Sequence, residues 1–308
     1  MSDYGHEPRF GTFITPHSQT PQASVELALL SERVGLDLVT FLDHPYQPAL
    51  LDTWTLLSYI AAKTERVHLS GYVLNLPSRH PAFLARAAAS LDLLSSGRVE
   101  LGIGPGDTFA LDAVAATGGP RRSASDALDA LDEALDVIRG IWDVSTPSQL
   151  SVQGKHYDIP AALRGPQPAH DISIWVPAGG PRGRRLVGRK ADGWISGGLW
   201  MADVEGELDR GNHFIDAAAA AAGRDPREVV RIFDFHGSVA GNGRSFVHGA
   251  PERWVEKLLP LAIEQGVSVF ILVNDDPAAI ATWGEDIAPA LRSAVAAERR
   301  NTTKERVT

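Results

Sequence analysis

Runs of β-type residues recur along this chain at the pace of a strand–helix unit. The first four begin near residues 9, 37, 67 and 98, roughly one every thirty residues. The run RFGTFIT (9–15) leads into a segment opened by Pro21, with Leu27, Leu30 and Val34 on one face and Gly35 at its end. DLVTFLD (37–43) precedes a helix carrying Leu56, Leu57 and Ile60, and RVHLSGYVLN (66–75) precedes one that starts at Pro81 and ends at Gly97. RVELGIG (98–104) is followed by Leu128, Leu131, Leu135 and Ile138 at helical spacing. The fifth strand, ISIWVPA, begins only near 172, and the gap holds an expected insertion at about 145–170 with a hairpin-like stretch, LSVQGKHYDIP (150–160). The helix 182–191, the strand DGWIS (192–196), a helix with an Ala run at 217–222, the strand RIFDFHGSVA (231–240) and a helix from Pro251 to Gln265 come next. VSVFILV (267–273) and a helix from Pro277 to Glu298 complete the series, leaving about 299–308 as a frayed tail. A doubly wound sheet fits the first half equally well, so it is the count of eight strands and eight helices that predicts a (β/α)8 TIM barrel, one domain over 1–308.

Composition narrows the chemistry. There are no cysteines, which removes disulfides, thiolate nucleophiles, zinc–thiolate sites and iron–sulfur clusters at once, so redox chemistry needs a bound cofactor. A net charge of -9 gives no field for a phosphate backbone or an anionic membrane, so neither nucleic acid nor membrane is expected as a partner. The start of the chain lacks a basic-then-apolar secretory pattern and no run of 18 apolar residues occurs, so a cytoplasmic location is expected. The ten histidines include no His-x-His after the first strand and no His-Glu-x-x-His, which disfavours a metal-dependent hydrolase, and no metal site is expected.

In a barrel of this kind ligands sit where strands end. After the second strand comes Asp43-His44-Pro45-Tyr46, a proton-handling imidazole beside a carboxylate that can orient it, or a turn in which Asp43 caps the next segment. The third strand ends Tyr72-Val73-Leu74-Asn75, an apolar wall suited to a flat ring; Arg79 and His80 beyond it can meet a phosphate or form a salt bridge on the rim. The fourth ends Gly102-Ile103-Gly104-Pro105-Gly106-Asp107, where glycines admit close backbone approach and Asp107 is a general acid or a helix cap. The fifth runs into Pro177-Ala178-Gly179-Gly180-Pro181, small residues that expose N–H groups to an anion at a helix start, with Arg182, Arg184 and Arg185 just downstream. The stretches 105–122, 145–170 and 235–250 are expected to shape the pocket.

These sites, in this order, resemble the bacterial luciferase-like superfamily of flavin- and coenzyme F420-dependent oxidoreductases. The resemblance runs from about 9 to 298 and is carried by RHPAFLARAAASLDLLSSGRVELGIGPGD (79–107), IWVPAGGPRGRRLVGRKADGWI (174–195) and HGAPERWVEKLLPLAIEQGVSVFIL (248–272). It implies a TIM barrel, often dimeric, and the Asp43-His44 pair with the AGGP segment is most similar to the F420-using branch. By that resemblance Asp43, Val73, Gly104, Gly106, Ala178, Gly179 and Gly180 would line the cofactor, His44 and Asp107 would handle protons, and Tyr72-Val73 would be a cis peptide. Two departures stand out: Asp107 replaces the glutamate of the sugar-phosphate enzymes, and ISGGLW (195–200) has no lysine where those enzymes bind phosphate.

The function so implied is hydride transfer between F420 and a small-molecule substrate by a homodimer. The alternatives are an FMN-dependent monooxygenase fed by a separate cofactor reductase, and a flavin-binding protein without catalysis.

Overall fold

The computed structural model describes residues 3–239 and 245–305. Positions 240–244, inside the stretch 235–250 assigned above to the pocket, lie outside the described residues, as do 306–308.

In chain order the elements are β1 (Arg9–Ile14), α1 (Pro21–Arg33), β2 (Leu38–Phe41), α2 (Thr53–Ala61), β3 (His68–Gly71), β4 (Leu74–Asn75), α3 (Pro81–Leu94) and β5 (Leu101–Gly104). Then come α4 (Leu111–Ala116), α5 (Ala124–Trp142), β6 (Leu150–Gln153), β7 (Asp158–Ala162), β8 (Ile174–Pro177), α6 (Pro181–Lys190), β9 (Gly193–Ile195) and α7 (Val204–Ala221). The chain closes with β10 (Val230–Phe235), β11 (Gly237–Ser238), β12 (Val247–His248), α8 (Pro251–Ile263), β13 (Val267–Val273), α9 (Pro277–Thr282) and α10 (Ala288–Glu305). The expected third strand is therefore two pieces, β3 and β4, parted at Tyr72-Val73, whose peptide bond is cis.

The chain forms two compact units. One comprises 1–15, 22–40 and 177–308, the other 16–21 and 41–176. In the first, strands lie in the order β2, β1, β13, β10, β9, with β1 and β10 both parallel to β13 and β9 parallel to β10. Its core is aromatic: Phe10 stacks on Phe270 and meets Trp283 edge-on, and Trp283 also meets Phe235. The helix expected from Pro277 to Glu298 is broken by a π turn over Trp283–Ile287. There Trp283 Nε1 donates to the Gly11 carbonyl, and a Cβ on Gly284 would fall 2.4 Å from Val34 Cγ2, so close helix contact and a fixed indole displace the regular ladder. The last helix does not fray at 299 but continues to Glu305, and Arg299 within it binds the Asp3 carboxylate and the His6 carbonyl.

That same N-terminal segment holds His6 partly buried, its Nε2 2.6 Å from the Arg227 carbonyl. Burial outweighs this hydrogen bond and keeps the ring below its ordinary value of 6.5. The folded state thus favours the neutral ring, so its contribution is complete above 6.5 and is lost as pH falls through the depressed value. The thermal midpoint is expected to decline from pH 7 to pH 5, and the decline to be shallower in His6→Gln; scanning calorimetry across that range checks it.

In the second unit β5 lies between β4 and β8, parallel to both, and just ahead of it Val99 forms an isolated parallel bridge with Leu69 of β3. β6 and β7 form an antiparallel hairpin, where the sequence showed a hairpin-like stretch. Its turn is gripped by Glu133 of α5, whose carboxylate accepts from the backbone N–H groups of Lys155, His156 and Tyr157 at 2.9, 2.8 and 3.0 Å. Beneath β5, Arg98 is buried with every guanidinium N–H engaged, by the carbonyls of Ser95, Val67, Ala61 and Thr64 and the Thr64 hydroxyl. The strand that carries the glycine-rich rim is therefore anchored at its base to the end of α2. Among the described residues no helix is long and apolar enough to cross a membrane.

Candidate active site

In the second unit the loops after β2, β4 and β5 bring several of the singled-out side chains together. Asp43 is fully buried, and a buried carboxylate requires paired donors. It finds them in the Asn75 N–H at 2.8 Å and in Arg79, whose Nε and Nη2 reach its two oxygens at 3.1 and 2.8 Å. Arg79 also binds Asp52 at 2.8 Å, so of its two sequence readings the salt bridge is the one present. Asp43 neither orients the adjacent imidazole nor caps the next segment. The cap is Asp52, which accepts from Thr55 N–H at 2.8 Å at the start of α2.

Burial alone would raise the Asp52 carboxyl; the Thr55 N–H and the Arg79 guanidinium overcome it and hold the group below the usual carboxylate range. Asp52→Ala is expected to lower stability by about 1 kcal/mol through the lost cap. Chemical denaturation of the wild type and the variant checks this.

His44 takes its partners from farther along. Its Nδ1 lies 2.5 Å from Tyr46 Oη and 3.8 Å from Asp107 Oδ2. No sequence signal marks Tyr46 as a partner of His44, since a side chain two positions on in an irregular loop has no periodicity to reveal it. Burial, reinforced by the charges of Asp107 and Asp43, pushes its phenol up to about 12, so it keeps its proton at neutral pH. Asp107 stands at the N-cap position of a short 3-10 turn but makes no side-chain cap there, which leaves the carboxylate directed to other work. His44 and Asp107 are both partly exposed, at 22% and 41%, so a small molecule can reach them.

The backbone around them is tightly set. Gly106 has a φ of +91° and a Cβ there would fall 2.7 Å from Pro77 Cγ, so packing inside the protein itself demands glycine. Gly104, the last residue of β5, is buried and pairs in register with Asn75. Val73 follows the cis bond and remains partly exposed.

Ala178, Gly179 and Gly180 belong to the other unit, at the start of α6. Ala178 is buried, with its carbonyl accepting from Trp194 Nε1 and its N–H donating to the Ile195 carbonyl. Gly179 and Gly180 are exposed, and a Cβ on either would meet nothing within 4 Å. Protein packing does not call for glycine at these two positions. What they leave open is the approach to the first-turn N–H groups of α6, which have no intrahelical acceptor. The downstream arginines do not all serve that purpose: Arg184 is buried on Glu207 and over the Trp194 ring, and Arg185 lies over Phe214. Helix geometry turns them along the flank of α6.

One further group of metal-type ligands was not anticipated. Asp126, Asp129 and His156 place oxygens and nitrogen within 4.8 Å of one another, but Asp126 is already held by Lys155 and Ser123.

Comparison with solved structures fixes the fold as a (β/α)8 TIM barrel. An F420-dependent secondary alcohol dehydrogenase, solved in complex with an F420-acetone adduct, superposes with a TM-score of 0.79 at 18% identity, over 92% of this chain and 99% of that one. The luciferase-like monooxygenase family model matches residues 8–254, and the chain belongs to that family. An F420-dependent glucose-6-phosphate dehydrogenase of Kribbella flavida is 30% identical, over 84% of this chain and 83% of that one. An enzyme of the same name from Amycolatopsis mediterranei is 33% identical over 57% of this chain. The chain spans about half the length, 53%, of that relative.

Proposed function

We propose that this protein is an oxidoreductase that moves a hydride between coenzyme F420 and a small organic substrate, with His44 and Asp107 managing the accompanying proton. The observation that carries the reading is the meeting of His44 and Asp107, from separate strand ends, 3.8 Å apart and partly open to solvent. The F420 dependence named for the relatives from Kribbella and Amycolatopsis supports the choice of cofactor.

The residues present suit such a group. Within the second unit, which also holds His44 and Asp107, Val73 offers a partly exposed apolar surface to a flat ring. Bound F420 would supply or take up the hydride without activating oxygen. The chain's own part is to orient the reacting carbon and to move one proton at the imidazole.

The substrate we propose is not glucose 6-phosphate. The carboxylate at 107 is one methylene shorter than the glutamate expected of sugar-phosphate enzymes, and Ile195–Trp200 provides no lysine for a phosphate. A small secondary alcohol or its ketone suits a site whose charged groups manage a proton and not a phosphate ester.

Titration of the purified protein with F420 and with FMN, followed by fluorescence, tests the cofactor. Micromolar binding of F420 with none of FMN is expected. FMN binding without F420 binding would replace this reading with flavin-dependent monooxygenation.

A further inference from the structure

Tyr46 makes the shortest polar contact to His44, and no role has been assigned to it. Its hydroxyl lies 2.5 Å from Nδ1, and the two rings are tilted by 56° with centroids 5.4 Å apart. The same nitrogen faces Asp107 Oδ2 at 3.8 Å. Two oxygens thus converge on Nδ1, and one of them belongs to a carboxylate.

A carboxylate beside a ring nitrogen favours N–H there over a lone pair, because the lone pair would face negative charge at short range. With the proton on Nδ1, the neutral Tyr46 oxygen accepts it. Nε2 is then left as the nitrogen with a lone pair. We propose that Tyr46 is a positioning residue that, with Asp107, holds His44 as the Nδ1–H tautomer and leaves Nε2 to exchange a proton with the substrate. Which reaction that proton belongs to rests on the function proposed above; the tautomer itself does not.

The consequence is direct. When a hydroxyl is oxidised, its carbon would give its hydride to bound F420 while Nε2 takes the hydroxyl proton; the ring becomes an imidazolium, whose Nδ1–H stays on Tyr46 and whose charge is met by Asp107. In the reducing direction Nε2–H returns the proton to the nascent alkoxide. No proton leaves Tyr46 in either direction, consistent with a phenol pushed up to about 12 by burial and by Asp107 and Asp43. A free imidazole prefers the other tautomer only weakly, so one hydrogen bond of about 1 kcal/mol is enough to decide the population.

Nitrogen-15 NMR of the histidine rings at a pH where His44 is neutral reads the tautomer without any cofactor or substrate. In the wild type, His44 is expected to show a pyrrole-type Nδ1 and a pyridine-type Nε2. In Tyr46→Phe the two signals are expected to move toward each other as the tautomers mix, and kcat to fall about tenfold with KM and F420 affinity unchanged within twofold. A wild-type His44 with its proton on Nε2 overturns the proposal without recourse to any variant, and so does a Tyr46→Phe spectrum identical to the wild type's. If the tautomer behaves as expected while His44→Ala leaves hydride transfer intact, Tyr46 still positions the ring and the functional reading is the one that fails.

Discussion

Arg98→Ala is expected to lower the unfolding free energy by about 5 kcal/mol. The guanidinium donates to four carbonyls and one hydroxyl in a space from which water is excluded. A buried acceptor left without its donor costs about 1–3 kcal/mol. Even at the low end of about 1 kcal/mol each, losing all five removes about 5 kcal/mol from a domain whose total is on the order of 5–15 kcal/mol. Arg98→Lys is expected to recover little, since an ammonium is a point donor and cannot reach acceptors spread around a planar fork. Circular dichroism and urea titration of the two variants provide the check; an unfolding free energy for Arg98→Ala within about 0.5 kcal/mol of the wild type's would show that the carbonyls find other partners. The effect bears on the site because β5 rises from Arg98 and ends at the rim that carries Asp107.

His44→Ala is expected to lower turnover by about 10²–10⁴-fold, the usual range for removing a general acid or base. The loss falls on kcat, since the imidazole acts on the proton in transit and contributes little to holding the ground state. Asp107→Asn keeps the shape and removes the charge, and its loss is expected to be smaller, roughly tenfold, because at 3.8 Å it stabilises the imidazolium through space without a close hydrogen bond. Steady-state kinetics at fixed F420, alongside F420 affinity and thermal midpoint, tests both. Unchanged turnover in His44→Ala would remove the imidazole from the chemistry. The two side chains are partly exposed, so neither change disturbs the core.

Much of the barrel was legible because each strand is bounded by its own punctuation. Pro21, Pro81, Pro251 and Pro277 open helices where the sequence put them, and VSVFILV is β13 residue for residue. What could not be read is what depends on side chains returning to distant segments. The π turn at Trp283 arises from an indole reaching Gly11, and Arg98 looked like the first residue of a strand when its side chain in fact turns back to Ala61, Thr64 and Val67. The same limit applied at the site. Asp43 next to His44 in the chain suggested a pair, whereas burial sends Asp43 to Arg79 and Asn75 and gives His44 to Tyr46 and Asp107. Adjacency in sequence is a poor guide in a loop, because successive side chains there point in directions fixed only by tertiary contacts.

The hold of Glu133 on three successive amides sets how fast that turn opens to solvent. A turn fastened by one acidic side chain from a neighbouring helix keeps its shape independently of the two strands it joins. In deuterium exchange those three amides are expected to lag behind the rest of the hairpin, and Glu133→Gln to release them together, turning one of the slowest surface turns of the molecule into an ordinary one.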